Sequence, residues 1–236
     1  KEGLLLMSEK NNTASLGWGT RISYGLGDTA CNTVFGMITA LLTLFYTDYC
    51  GIPVVTVGLV MLISRIFDGS SDVIMGIIVS KTKSKWGKAR PWILWMSVPY
   101  VLCAVAMFCV PHSSSTTVQF WYIFVTYNLC TTVCYTAINV PYGTLSTMMT
   151  RSSHERDLLS VVRMSLSPIG KIIAVTFTMP VVKLFGNDQA AWVKVMSIWA
   201  AIAVLLLWMF QSTNQAVVGT ILPYYCKYVF HNDSWM

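Results

Sequence analysis

The chain has 236 residues, 55% hydrophobic and only 11% charged, with a net charge of +6, whereas a soluble domain carries about a quarter charged residues. This composition excludes an ordinary water-soluble enzyme and makes lipid the solvent, in which a spanning segment must satisfy its own backbone hydrogen bonds as a helix or closed barrel. Most of the positive charges fall in the segments between apolar runs, so they read as an orientation signal and not as a nucleic-acid footprint.

Residues 1–21, KEGLLLMSEKNNTASLGWGTR, read as a polar N-terminal segment without a cleavable leader, with Met7 a candidate initiator. Six apolar stretches follow over 22–210, each near the roughly 20 residues a bilayer requires. Span one, about Ile22 to Tyr46, carries Asp28 and Asn32 among Gly25, Gly27 and Gly36, small residues that allow helices to approach closely. Pro53 opens span two, which holds Arg65, Asp68, Ser71 and Asp72 and ends at the basic loop KTKSKWGKAR. Span three runs from Pro91 to Pro111. Span four, about Phe120 to Met148, includes the polar run TAINVPYGT, where Pro141 and Gly143 predict a kink. Span five, about Leu159 to Leu184, contains Arg163, Pro168 and Lys171, and span six, about Trp192 to Phe210, reads as plain packing. Residues 211–236 form an incomplete remnant, because QSTNQAVVGT is too polar for a span and ILPYYCKYVF too short.

Lys1, Lys10, Arg21, Lys81, Lys83, Lys85, Lys88, Arg90, Arg151 and Arg156 fall on one side of this arrangement and only Lys183 and Lys194 on the other. That asymmetry places the N-terminus in the cytoplasm. The seven cysteines lie mostly in apolar runs without ligand spacing and read as small hydrophobes. The fold class is an all-α integral membrane protein.

The chemistry is in the spans. Charges at membrane depth cost at least about 2.5–3.5 kcal/mol each and are seldom kept there without function. Arg65, Asp68 and Asp72 are three and four residues apart and share one helix stripe. Two carboxylates beside one guanidinium suit a monovalent cation or a proton. Na⁺, a hard cation and the one metal this site would take through Asp68 and Asp72, wants further oxygens, for which Ser71 and Thr136 are candidates; a proton needs one carboxylate only. Asp28, Asn32, Asn139, Tyr142 and Arg163, on spans one, four and five, are candidates for a hydrophilic ligand such as a sugar. Lys171 is a weaker one, since a long side chain can snorkel. The loop residues Lys85, Gly87, Lys88 and Arg90 are candidates for a conformational gate or for contact with anionic membrane lipid. An acidic Mg²⁺ transferase motif around DGSSD lacks further acids, since none follows between Asp72 and Glu155.

The strings ISYGLGD, LFYTDYCGI, RIFDGSSDVIMG, SKWGKARPWIL and INVPYGTL resemble the glycoside-pentoside-hexuronide:cation symporters, the melibiose-permease family of the major facilitator superfamily, over roughly residues 20 to 210. The resemblance implies the six-helix N-terminal half of a twelve-helix transporter, followed by a remnant of a seventh helix. It implies Asp68, Asp72, Ser71 and Thr136 as the cation site and Arg163 as a sugar-site arginine. Asn32 and Asn139 stand where melibiose permeases carry sugar-binding aspartates, and Gly143 replaces a tryptophan, which leans toward the glucuronide-type branch; Ser71 in place of an asparagine leans toward proton coupling. The expectation is symport of a sugar, glycoside or hexuronide-like substrate with H⁺ or Na⁺ in a bacterial inner membrane, with no enzyme activity, no cofactor beyond the coupling ion and no nucleic-acid partner. The alternative is a truncated membrane protein that does not transport.

Overall fold

All regular structure among the described residues is helical, as hydrocarbon demands. The computed structural model describes residues 16–84, 87–111, 115–150 and 152–229, the side chains of 148 and 211–229 apart. Helix α1 (Trp18–Leu44) winds on into a π-helical turn, Phe45–Tyr49. Helix α2 (Val54–Lys81) starts directly after Pro53, and α3 (Arg90–Ala106) carries Pro91 in its first turn, where a missing N–H costs nothing. Helix α4 (Thr116–Asn128), a π-helical segment (Leu129–Tyr135) and α5 (Thr136–Met149) form the fourth span. Helix α6 (Ser153–Leu184) and α7 (Gln189–Val229) complete the bundle.

Five of these rods are long and apolar enough to cross a membrane, and the third, α3, is apolar but shorter at 17 residues. Helix α7 passes unbroken through the boundary that hydropathy suggests at 210. Its 41 residues span about 60 Å, roughly twice a hydrocarbon core. The predicted kink at Pro141 and Gly143 is displaced: α5 runs through both, and the departure from α geometry lies upstream, at Leu129–Tyr135.

Helix α1 is the most buried span, packed chiefly against α6 and α7, whereas α2 and α6 turn large apolar faces outward, Leu62, Ile66 and Phe67 on one and Met164, Ile172 and Phe177 on the other. The contact between α1 and α6 depends on missing side chains. A Cβ on Gly170 would stand 2.3 Å from Cγ2 of Thr29, and one on Gly36 would stand 2.5 Å from Cγ of Lys171. Gly25 meets Leu166 in the same way and Gly27 meets Phe210, so all three glycines expected to permit close approach do so. Toward one end, the Arg21 guanidinium binds both Glu155 oxygens, at 2.8 and 2.9 Å, with both residues buried. At the other, the Tyr49 hydroxyl donates to Asn187 Oδ1 at 2.8 Å, and Gln189 Nε2 donates to the carbonyls of Phe108 and Val110.

Candidate functional site

Partway along α1, the buried Asp28 carboxylate meets the Arg163 guanidinium of α6, Nε to Oδ1 at 3.0 Å. Asn32, one turn further on α1, donates from Nδ2 to Asp28 Oδ2 at 3.1 Å and to the Asp28 carbonyl at 3.0 Å. From α5, Asn139 Oδ1 accepts from Arg163 Nη2 at 3.3 Å. These groups line a cavity of about 410 Å³ together with Tyr135, Ser160, Met164, Ser167 and Pro168, within the usual size of small-molecule sites.

Tyr142 lies beneath this cavity and is not part of its lining. Its ring is buried, stacks on Tyr24 with centroids 4.8 Å apart, and carries the Arg163 guanidinium 5.1 Å above its centroid. Its hydroxyl donates to the Tyr24 carbonyl and accepts from the Asp28 backbone N–H. Tyr142 thus fixes the height of Arg163 and the backbone of Asp28, a supporting role. Lys171 does not line the cavity either; its stem lies on Gly36.

A second polar site lies between α2 and the fourth span. Asp68 Oδ1 accepts from Thr132 Oγ1 at 2.5 Å, and Arg65 Nη1 approaches Asp68 Oδ2 at 3.7 Å. The Arg65 side chain is 62% exposed, so this pair holds little by itself. Ser71 Oγ donates to the Asp68 carbonyl at 2.8 Å and lies 3.4 Å from Thr136 Oγ1. Asp72 sits one turn along, exposed, with no hydrogen-bond or ion-pair partner among the described residues. The two sites meet on one rod: Thr132 and Thr136 face α2, while Tyr135 and Asn139 face the cavity.

Residues 23–215 match the family model described as MFS/sugar transport protein. The chain belongs to that family. It is 34% identical over 208 residues to the isoprimeverose transporter of Lactiplantibacillus pentosus, covering 86% of this chain and 43% of that protein. It is 32% identical over 226 residues to the inner membrane symporter YicJ of Escherichia coli, covering 91% and 48%, and 32% identical over 211 residues to the glucuronide carrier protein homolog of the same organism, covering 87% and 46%. The chain spans about half the length of the curated relatives it matches. Members of this family are membrane transporters and not enzymes, in keeping with the five helices among the described residues that are long and apolar enough to cross a membrane.

The expected gate joins α2 to α3. Gly87 adopts φ +90°, a conformation that side chains disfavour, and its N–H donates to the Ser84 carbonyl at 3.1 Å. Trp92 Nε1 of α3 donates to Thr82 Oγ1 at 3.0 Å, and Lys88 is exposed beside Arg90, which opens α3. Lys85 lies outside the described residues. The sequence does not single out Thr132, Tyr135, Ser160 or Ser167. A signal is present for the two serines, since Ser160, Arg163 and Ser167 fall on one helical face, whereas the placement of Thr132 and Tyr135 depends on the π-helical winding.

Proposed function

We propose that this chain forms the N-terminal half of a cation-coupled symporter for a neutral sugar or glycoside, in a bacterial inner membrane with its N-terminus cytoplasmic. The observation that carries the substrate is the charge balance of the cavity. Arg163 is the cation among its lining residues and Asp28 the anion, and they are paired at 3.0 Å. The remaining liners that bond to polyols, Asn32, Tyr135, Asn139, Ser160 and Ser167, are uncharged. A hexuronide carboxylate entering this cavity would compete with Asp28 for the guanidinium and leave one anion uncompensated in a partly desolvated site. A neutral ring meets amide, hydroxyl and guanidinium groups at its edge and the Tyr135 ring, itself stacked on Phe35 at 4.3 Å, as an aromatic surface.

Coupling follows from the shared rod. A cation held by Asp68, Asp72, Ser71 and Thr136 draws the fourth span toward α2, and that span presents Tyr135 and Asn139 to the sugar. Each ligand then favours the same position of one element, and linkage makes the effect reciprocal. The excess of Lys and Arg in alternate loops supports the orientation.

The test is titration of the chain in lipid nanodiscs with isoprimeverose and with a simple β-glucuronide. The neutral sugar is expected to bind at least about 10-fold more tightly, a difference of about 1.4 kcal/mol. Asp28→Asn frees the Arg163 charge and is expected to narrow or invert that preference. Tighter binding of the glucuronide by the unaltered chain would overturn the neutral-substrate reading.

A further inference from the structure

Threonines that are buried or half-buried in this bundle have a default: the hydroxyl returns to the carbonyl one turn back on its own helix. Thr29, Thr33, Thr126, Thr131 and Thr178 all bond in this way, at 2.6–3.0 Å. Thr132 is an exception. It is 7% exposed, follows Thr131 directly, and sends its hydroxyl to the carboxylate of Asp68 on another helix.

The backbone explains how. In a regular α-helix, residues four apart drift by about 40° around the axis. The i→i+5 winding of Leu129–Tyr135 offsets that drift, so Asn128, Thr132 and Thr136 stay in line toward α2. Such insertions concentrate at functional positions.

We infer that Thr132 is a ligand of the coupling ion, that it completes with Asp68, Ser71 and Thr136 an oxygen set for an alkali cation of the Na⁺ class, and that Asn128 accepts its proton when the ion is bound. This rests on the coupling site proposed above and goes beyond it by choosing the ion and adding two residues. A hydroxyl carries one proton and two lone pairs, and it rotates. The shorter of the two contacts of Thr132 Oγ1, at 2.5 Å, is to Asp68 Oδ1, where the proton is best donated to a bare carboxylate. With an ion bound, the same proton would oppose the cation and must turn away. Its acceptor is in place: Asn128 Oδ1 lies 3.3 Å from Thr132 Oγ1, and Asn128 Nδ2 is tied at 2.8 Å to the Phe124 carbonyl, which holds the oxygen end of the amide toward Thr132. A coupling proton needs one carboxylate and at most one acceptor beside it, and would give no part to the two further hydroxyl oxygens nearby. A hard monovalent ion needs such neutral oxygens beside its one or two carboxylates.

The experiment is equilibrium binding of ²²Na⁺ to the 236-residue chain in nanodiscs, with thermal unfolding of each variant as the folding control. The unaltered chain is expected to bind Na⁺, and Asp68→Asn to abolish binding. Thr132→Val, nearly the same shape without the hydroxyl, is expected to weaken binding about 10- to 100-fold, Thr132→Ser to restore it to within a few-fold, and Asn128→Leu to fall between. Loss with Asp68→Asn but none with Thr132→Val would overturn the Thr132 assignment and leave the coupling site standing. Na⁺ binding indifferent to both variants would overturn the site itself, and Asp68-dependent proton binding without any Na⁺ binding would overturn the choice of ion.

Discussion

Helices α1 and α6 are joined by two arginine–carboxylate pairs that differ in almost everything except their chemistry. Arg21 and Glu155 are closed off, each side chain 8% exposed, with two bonds to one guanidinium nitrogen. Asp28 and Arg163 share a single 3.0 Å contact, with Asp28 6% exposed and Arg163 28%, and the rest of the guanidinium opens onto the cavity. The first pair lies away from the cavity, and although Arg21 Nε has no hydrogen-bond partner it is buried out of a ligand's reach, so the pair acts as a clamp. The second turns its spare donors onto open space, and binding sites are made of such groups. What separates them is access, set by where α5 and α6 diverge enough to leave a cavity.

Breaking the clamp is expected to have the largest effect. Glu155→Ala leaves the buried Arg21 charge uncompensated, and thermal unfolding of the purified chain is expected to report a loss of about 3–5 kcal/mol. A loss below about 1 kcal/mol would show that water reaches this pair and that the contrast is false. Next comes the seam itself: Gly170→Ala puts a methyl group 2.3 Å from Thr29 Cγ2 and is expected to cost about 1–3 kcal/mol in the same assay, since packed helices cannot move apart freely. Arg163→Gln sharpens the comparison from the other side. Its stability loss is expected to be smaller than that of Glu155→Ala, because Asn32 and the open cavity still solvate Asp28, while sugar affinity in the nanodisc titration falls about 10- to 100-fold, as when bonds from a charged donor are lost. The smallest effect belongs to Gly143→Ala, where nothing lies within 4 Å of the added carbon; a change within about 0.5 kcal/mol is expected, and a larger one would mean that this position is packed.

Residues that act within one helix, or at membrane depth where polarity is costly, were legible in the sequence. Asp28, Asn32, Asn139 and Arg163 do converge, and Asp68, Ser71 and Thr136 do meet across α2 and the fourth span. The clamp was not legible, because Arg21 and Glu155 are 134 residues apart and each sits in a polar stretch that reads as loop. The residue type of Tyr142 suggests ligand contact, yet the Arg163 guanidinium over its ring and its stacking on Tyr24 make it a support from below. Thr132 sits in the unremarkable string LCTTVCY, and its orientation depends on a change of winding that no residue in that string announces.

The π-helical stretch also bears on how this chain can vary. A one-residue deletion within Leu129–Tyr135 can be absorbed by rewinding the stretch as regular α-helix, because six residues at about 100° each turn nearly as far as seven wound more loosely. The flanking helices then keep nearly their phase and Asn139 stays near Arg163, while Thr132 loses its alignment with Thr136 toward α2. Exchange of side chains there perturbs one partner at a time, whereas this deletion is expected to disturb the site at α2 and spare the cavity.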